Sequence, residues 1–345
     1  METIIIQQAE IEKAIEGIKE GQLIAFPTET VYGLGADATN ESAVKSVYAA
    51  KGRPSDNPLI VHVANKNQVA QFVEQIPEKA VKLMEHFWPG PLTLIFNLKE
   101  ESGLSSTVTG GLKTAAFRMP NNELTLKLIT ESEKVLVGPS ANTSGLPSPT
   151  TAEHVYHDLA GKIFGILDGG ACEVGLESTV LDMSTDSKLP TILRPGAVTQ
   201  SQLEAVIGKV VIDSHLVSES EKPKAPGMKY KHYSPKTPVI MIDYKTNNWQ
   251  EAINAYKNEN KKVGLLVNKE LLSKLKNYDE VYSLSETREV KEAMANLFAG
   301  LRALDNENVD IIFSETYPEK DEGLAYMNRL KKASSGKKYL NSEKL

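Results

Sequence analysis

The sequence has 345 residues, of which 41% are hydrophobic and 24% charged, and its formal net charge is −6. These values are ordinary for a globular protein in water, and no apolar run approaches the roughly 18 residues that a membrane-spanning helix requires. The single cysteine, Cys172, excludes an internal disulfide. Together with an amino terminus that lacks signal-peptide features, it predicts a cytoplasmic protein.

Charge is distributed unevenly along the chain. Residues 1–208 hold 16 Lys and Arg against 25 Asp and Glu, whereas the remainder holds 23 against 20. The acidic part contains only three arginines, Arg53, Arg118 and Arg194. Such scarce guanidinium groups favour selected anion contacts over a basic nucleic-acid face, although ordinary surface ion pairs are the alternative.

The first conspicuous stretch begins with an apolar run, Leu23–Phe26, which predicts a buried strand. Pro27 then removes a backbone donor and ends regular pairing. A polar turn over residues 28–30 (Thr-Glu-Thr) follows, and we expect Gly33 and Gly35 to close it. Glycine at such positions permits positive φ and the close approach of another group.

A helix is predicted next, with Asn40 as its N-cap and its end near Lys51-Gly52-Arg53. A strand over 59–63 then carries His62. Polar groups at strand ends, beside glycines and a cationic helix terminus, predict a small-molecule site that holds an anion.

The remaining pattern up to residue 208 predicts an α/β domain with a mixed sheet. A second polar turn, 139–145, follows a short strand and resembles the first in its hydroxyls, amide and glycine. The predicted helices are 67–73, 78–87, 122–130, 151–159 and 202–207, and the predicted strands are 92–96, 114–120, 135–138, 163–167, 178–181 and 191–193.

Beyond residue 208 the composition changes. Residues 209–237 are polar, contain prolines and predict a linker. Residues 238–345 alternate strand and helix patterns, which predicts a small parallel, Rossmann-like domain. Its strands are expected at 239–244, 263–267, 280–284 and 309–313, and its helices at 249–256, 269–275, 289–304 and 322–332. It has no Gly-x-Gly-x-x-Gly, so no dinucleotide site is predicted there.

Several catalytic signatures are missing. The sequence contains no P-loop, no Cys-x-x-Cys, no His-Glu-x-x-His, and no Gly-x-Ser-x-Gly around Ser140. His154 and His157 are three apart on a predicted helix but lack a third metal ligand, so a solvated helix face is the simpler interpretation. Covalent catalysis by Ser140 or Cys172 is the weaker hypothesis.

A set of short blocks in one fixed order resembles the YrdC family. The resemblance covers about residues 5–208, and residues 226–235 are also similar to the linker of the two-domain members. The blocks are Phe26-Pro-Thr-Glu-Thr-Val-Tyr-Gly-Leu-Gly35, Lys51-Gly-Arg53 with Asn57-Pro-Leu, Gly90-Pro-Leu-Thr93, Arg118-Met-Pro120, Ser140-Ala-Asn142, Glu177-Ser-Thr-Val180 and Leu193-Arg-Pro-Gly196.

The resemblance implies a twisted mixed sheet with flanking helices, plus the Rossmann-like second domain. It also implies a nucleotidyltransferase that forms L-threonylcarbamoyladenylate and pyrophosphate from L-threonine, bicarbonate and ATP. The product would serve the modification of adenosine 37 in ANN-decoding tRNAs, through a threonylcarbamoyltransferase complex as recipient. Mg²⁺ is expected with ATP, no membrane partner is expected, and direct tRNA contact would be weak.

The resemblance also implies roles for individual residues. Threonine would be held by Thr30, His62, Arg118, Gly138 and Ser178. ATP would be contacted by Arg53, Asn57, Thr114, Ser140, Ser148, Arg194, His232 and Tyr233. Lys51, Arg53, Ser140 and Asn142 would act in catalysis, and the linker would fold over the cleft as a lid.

Two other function classes are compatible with parts of the sequence. One is a double-stranded RNA- or tRNA-binding or ribosome-assembly module, against which the acidic first domain argues. The other is a carbamoyltransferase of hydrogenase maturation, whose additional zinc-finger parts would require cysteine pairs that this sequence lacks.

Overall fold

A computed structural model describes residues 2–184, 189–213, 232–246 and 248–339. These residues form two compact units. The first contains the described residues up to 213 except 145–147 and 174–176; the second contains those two short segments and the described residues from 232 onward. Of the predicted linker and lid, 209–237, the structure describes only residues 209–213 and 232–237, and the rest lies outside the described residues.

The first unit contains eleven strands and seven α-helices among the described residues. The strands are β1 (Ile4–Ile6), β2 (Ile24–Phe26), β3 (Gly33–Asp37), β4 (Ile60–His62), β5 (Leu92–Asn97), β6 (Thr114–Arg118), β7 (Leu136–Val137), β8 (Gly165–Leu167), β9 (Thr179–Asp182), β10 (Thr191–Arg194) and β11 (Val211–Ile212). The helices are α1 (Ile11–Lys19), α2 (Glu41–Lys51), α3 (Lys66–Phe72), α4 (Glu78–Phe87), α5 (Glu123–Ser132), α6 (Ala152–Leu159) and α7 (Gln200–Ile207).

These strands form one mixed sheet in the order β1-β8-β2-β3-β7-β4-β6-β5-β9-β10-β11. The predicted α/β fold with a mixed sheet is therefore confirmed. Parallel pairing of β4 with β6 sets His62 beside Arg118 in register, so two predicted site residues share one end of adjacent strands. Strand β11 pairs with β10, which carries the sheet past residue 208.

The prediction that Gly33 and Gly35 close a turn is wrong. Both belong to β3, which pairs antiparallel with β2 and β7, and neither has positive φ. Their role is to make room: a Cβ on Gly33 would lie 2.7 Å from the Phe26 ring, and one on Gly35 would lie 2.8 Å from Ile24 O. The expected close approach thus comes from a neighbouring strand.

Helix α2 has the predicted bounds because both of its ends are capped. The Asn40 side chain accepts hydrogen bonds from the backbone of Ser42 and Ala43, and Gly52 adopts the left-handed conformation with φ 60° at the other end. Val44 and Val47 face the main core. This orientation buries Lys51, the last helical residue, to 2% exposure.

The second unit contains a four-stranded sheet that is parallel, as predicted, and its strand order is β12-β15-β13-β14. Its strands are β12 (Val239–Ile242), β13 (Val263–Val267), β14 (Glu280–Ser283) and β15 (Ile311–Glu315), and its helices are α8 (Trp249–Asn258), α9 (Lys269–Leu272), α10 (Val290–Asn306) and α11 (Glu322–Ala333). No helix within the described residues is long and apolar enough to cross a membrane.

We expect Gly33→Ala to lower the free energy of unfolding by roughly 1–3 kcal/mol, because the added methyl group overlaps the Phe26 ring. Urea unfolding measures the loss. Combined with Phe26→Leu, the substitution should cost less than the sum of the two single variants, since the smaller side chain frees the space. Strict additivity would contradict the contact.

Candidate functional site

The polar turn after β2 is held together by its own hydroxyl groups. Thr28 Oγ1 accepts hydrogen bonds from the backbone N–H groups of Thr30 and Val31 and donates to Val31 O at 2.7 Å. The Thr30 hydroxyl is fully buried and lies 2.9 Å from that of Thr28. The turn is therefore rigid before any ligand arrives.

Arg118, at the end of β6, joins this turn to the next one along the sheet. Its Nη1 donates to Thr30 Oγ1 at 2.8 Å, and its Nε donates to Gly90 O at 3.2 Å. Its Nη2 lies 2.6 Å from Glu29 Oε2, and both side chains are buried. The Nη2–Glu29 contact is an ion pair by distance, but neither partner makes a hydrogen bond of normal geometry there. The pairing of these two charged groups is therefore geometrically incomplete.

His62 lies beside Arg118 with an unsatisfied ring nitrogen. The side chain is 2% exposed and its Nδ1 has no hydrogen-bond partner. Burial, with a smaller contribution from the Arg118 charge, lowers the pKa of His62 to about 3, so the ring is neutral at physiological pH. A Cβ on Gly138 would lie 2.5 Å from the ring, which explains why glycine occupies that position.

A second buried group surrounds Ser178, just before β9. Its hydroxyl lies 2.7 Å from that of Thr93, and Arg194 donates from Nη2 to the same hydroxyl at 3.2 Å and from Nε to Ser178 O at 3.1 Å. All three side chains are buried. Arg194, at the end of β10, thereby stabilises the loop that leads into β9.

Lys51 holds the second polar turn in place. Its Nζ donates to the backbone oxygens of Ser140 and Asn142, the latter at 2.6 Å. The backbone of Ser140 also forms an isolated antiparallel β-bridge with Gly33 of β3. The Asn142 side chain donates to Thr143 O at 2.8 Å. The Lys-x-Arg and Ser-x-Asn blocks, 89 residues apart, thus meet through a cation and two carbonyl groups.

The other predicted ATP contacts are less closely grouped. Arg53 donates to Asn57 O and Pro58 O, and the buried Asn57 Oδ1 has no hydrogen-bond partner. Ser148 donates its hydroxyl to Glu177. Thr114 begins β6 and is roughly 13 Å along the strand from Arg118. No hydrogen bond between described residues joins it to the others.

His232 and Tyr233 lie in the second unit. The Tyr233 ring is 4% exposed and stacks on Phe298 with ring centroids 5.1 Å apart. The guanidinium of Arg329 lies 5.8 Å from its centroid. Its backbone has φ 64°, which is uncommon outside glycine.

Three buried residues of the site were not among the predicted catalytic or binding residues. Glu29, Thr93 and Glu177 are buried and contact Arg118, Ser178 and Ser148, respectively. Each lies within a block that carries the family resemblance. Their partners are distant in sequence, so spacing alone gave no signal of their contacts.

The site combines cations with a neutral imidazole, and its nearby cysteine is not an activated nucleophile. Burial raises the pKa of the Cys172 thiol to about 12, which leaves it unreactive at neutral pH. The described residues include no group of three or more side chains suited to hold a metal ion. This arrangement can bind and orient an anionic substrate and stabilise charge on phosphate oxygens.

Family models match the chain in two parts. The Sua5, YciO and YrdC model, described as "Telomere recombination", matches residues 16–196. A model described as "Threonylcarbamoyl-AMP synthase, C-terminal domain" matches residues 198–335. The chain belongs to the Sua5/YciO/YrdC family. Because both parts match, it has the two-part organisation of the family's longer members.

Full-length relatives agree with this assignment. A threonylcarbamoyl-AMP synthase from Bacillus subtilis is 47% identical over 328 residues, covering 95% of this chain and 94% of the relative. One from Pyrococcus abyssi is 47% identical over 334 residues, covering 95% of each. The crystal structure of P. abyssi Sua5 complexed with L-threonine matches 98% of this chain and all of that one, with a TM-score of 0.90 and 44% identity. The chain is therefore an enzyme, a nucleotidyltransferase of tRNA processing.

The low pKa of His62 predicts a pH dependence of stability. The unfolded chain protonates this histidine below about pH 6.5, whereas the folded protein resists protonation until about pH 3. The contribution of the neutral His62 to the free energy of unfolding is therefore complete above pH 6.5. It is lost as the pH falls towards 3, by up to about 1.4 kcal/mol per pH unit.

Urea unfolding between pH 7 and pH 4.5 tests this contribution. The variant His62→Gln should lose stability less steeply than the wild type over this range. The exposed His86→Gln is the matched control and should keep the wild-type slope. Equal slopes for wild type and His62→Gln would show that the imidazole is protonated in the folded protein.

Proposed function

We propose that this enzyme forms L-threonylcarbamoyl-AMP and pyrophosphate from L-threonine, bicarbonate and ATP. The product would serve threonylcarbamoylation of adenosine 37 in ANN-decoding tRNAs. The observation that carries the proposal is the match, over nearly the whole chain, to P. abyssi Sua5, whose crystal structure contains L-threonine. The buried polar atoms around Arg118 and His62 support a site for such a ligand.

For threonine, the proposal assigns the carboxylate to Arg118 and the hydroxyl to the neutral His62. Arg118 offers a buried guanidinium, and an uncharged imidazole can either accept or donate one hydrogen bond. Thr30 and Ser178 supply further hydroxyls, and Gly138 lets the backbone lie directly against the His62 ring. Glu29 contacts the same guanidinium, so the threonine carboxylate would compete with it.

For ATP, the proposal assigns the phosphates to Lys51, Arg53 and Arg194. Ser140, Asn142, Ser148 and Asn57 would contact the nucleotide or fix the turn that does. Thr114, which begins β6, and His232 and Tyr233 of the second unit would be further nucleotide contacts. Mg²⁺ bound to the phosphates would neutralise charge, with few protein ligands of its own.

The chemistry requires positioned charge rather than a covalent intermediate. Threonine's neutral amine bonds to the carbon of bicarbonate with loss of water, or to that of carbon dioxide with loss of a proton, and gives a carbamate. A carbamate oxygen then attacks the α-phosphorus, and the bond to the leaving pyrophosphate breaks. Charge develops on phosphate oxygens, where fixed cations lower the barrier. The unreactive Cys172 is consistent with this route.

Incubation of the protein with threonine, bicarbonate and ATP tests the proposal. Pyrophosphate release should require all three, and the nucleotide product should carry threonine and one carbon from bicarbonate, as measured by mass spectrometry. Release without threonine would contradict the proposed substrate, as would the absence of release under any condition.

We expect the enzyme to use serine weakly and valine hardly at all. Valine nearly matches threonine in shape but would leave the buried His62 Nδ1 without a hydrogen-bonding partner, which is costly in a buried site. Steady-state rates of pyrophosphate release with the three amino acids measure the difference. Comparable turnover of valine and threonine would show that the hydroxyl is not recognised.

We expect Glu29→Gln to strengthen threonine binding while lowering the free energy of unfolding. The substitution removes the charge that competes for Arg118, and loss of one partner of a buried ion pair costs roughly 3 kcal/mol. Calorimetry gives the threonine dissociation constant, and thermal unfolding gives the stability. The exposed Glu123→Gln, with the same charge change, is the control. Weaker threonine binding in Glu29→Gln would mean that Glu29 contacts the substrate instead of competing with it.

A further inference from the structure

The second sheet brings polar side chains together at one edge. Because all four strands are parallel, their carboxyl ends lie at the same edge. Ligands of open parallel α/β sheets bind at this edge. The residues that end or follow the strands there include Tyr244, Asn268, Ser285, Glu315 and Tyr317.

Two buried polar atoms at this edge have no hydrogen-bond partner. One is Oγ of Ser285, a residue that is only 4% exposed, and the other is Nη2 of Arg288. Burial raises the pKa of the Tyr317 phenol, and the nearby Ser285 hydroxyl opposes that rise. The two groups nevertheless make no hydrogen bond of normal geometry. Buried polar groups are almost always paired, so two at one edge indicate that a ligand completes the bonding.

Arg288 is held in an unusual position. Its backbone has φ 63°, which is costly for a residue with a side chain. Its guanidinium carbon lies 4.6 Å from the Tyr244 ring centroid and 5.6 Å from that of Tyr317. The side chain is 35% exposed, so it reaches solvent while Nη2 points inward. Two aromatic faces therefore fix the plane of a cation that solvent can approach.

Glu315 orients this cation and has little bonding capacity left for a ligand. Its Oε1 accepts from Asn268 N at 2.8 Å and from the Tyr317 hydroxyl at 3.0 Å, and its Oε2 accepts from Asn268 Nδ2 at 2.7 Å. Oε2 also lies 4.0 Å from Arg288 Nε. The bonding capacity that remains consists of a guanidinium N–H and a hydroxyl, both of which can donate.

We propose that this edge, the Arg288 site, binds a small molecule through an oxyanion, a carboxylate or phosphate group that accepts from Arg288 Nη2 and Ser285 Oγ. Lys245, whose Nζ lies 5.4 Å from the Tyr244 ring centroid, adds a second cation nearby. Glu286, which follows Ser285 in the sequence, is paired with Lys269, and this pairing reduces its electrostatic repulsion of a bound anion. All of these residues lie in the second unit, so the proposal does not depend on the proposed synthase chemistry and gives that unit a binding function of its own.

Calorimetric titration of the full chain with inorganic phosphate, and separately with citrate, tests the proposal and distinguishes the two kinds of anion. Ser285→Ala removes a hydroxyl that makes no hydrogen bond, so it should fold normally yet bind the preferred anion several-fold more weakly. Arg288→Gln should weaken binding on the order of tenfold or more. Lys291→Gln, which removes an equal charge from a side chain that is 77% exposed, should bind like the wild type.

A further variant distinguishes anion binding at the Arg288 site from anion binding in the first unit. Arg53→Gln should retain the anion binding that Arg288→Gln loses, because Arg53 lies in the first unit. The proposal is overturned if the wild type binds neither anion at millimolar concentration. It is equally overturned if folded Ser285→Ala and Arg288→Gln bind as the wild type does.

Discussion

The first unit's site depends on one buried guanidinium. Arg118 is 4% exposed, and a charge so far from water must be paired and hydrogen-bonded to be tolerated. It meets this requirement through Gly90 O, Thr30 and Glu29. One side chain thereby joins the turn after β2, the turn before β5 and the end of β6. A change in any of these segments would alter the position of the others.

The bonding around this guanidinium is incomplete in a way that suits a ligand. The His62 ring nitrogen has no partner, and the Glu29–Arg118 pair is close without good hydrogen-bond geometry. Elsewhere the same network is well satisfied, as in the Thr28 turn and the Lys51 contacts. Rigid surroundings with a few unsatisfied atoms are the expected design of a preorganised binding site, because the ordering cost is met on folding.

Much of the architecture follows from patterns that the sequence displays locally. Capping residues and apolar periodicity predicted α2, and alternation of strand and helix predicted the parallel second sheet. Strands β1 and β11 and helix α1 were not predicted, although Ile11, Ile15 and Ile18 of α1 have helical spacing and pack in a buried cluster. Strand β3 was misread because two of its five residues are glycines, whose local preference is for turns. Pairing with β2 and β7 overrides that preference.

The candidate site was less predictable than the fold. Short blocks identified most of its residues, but their contacts join positions tens of residues apart, such as Ser148 with Glu177 and Lys51 with Ser140. No local rule encodes such pairs. The engagement of Arg118 by Glu29 was also not predicted, since nothing in the Thr-Glu-Thr turn shows which strand end its carboxylate meets.

One aromatic ring links several of the glycines described above. Phe26 lies within 3 Å of where a Cβ would be on Gly33, Gly35 or Gly138, and His62 closes the same space from the other side at Gly138. These positions constrain one another. A larger side chain at one of the three glycines would require a smaller one at Phe26 or, for Gly138, also at His62; otherwise the strand pairing would be lost. Substitutions at these positions should therefore be correlated, because the close packing around Phe26 leaves no room for a larger side chain at any one of the glycines alone.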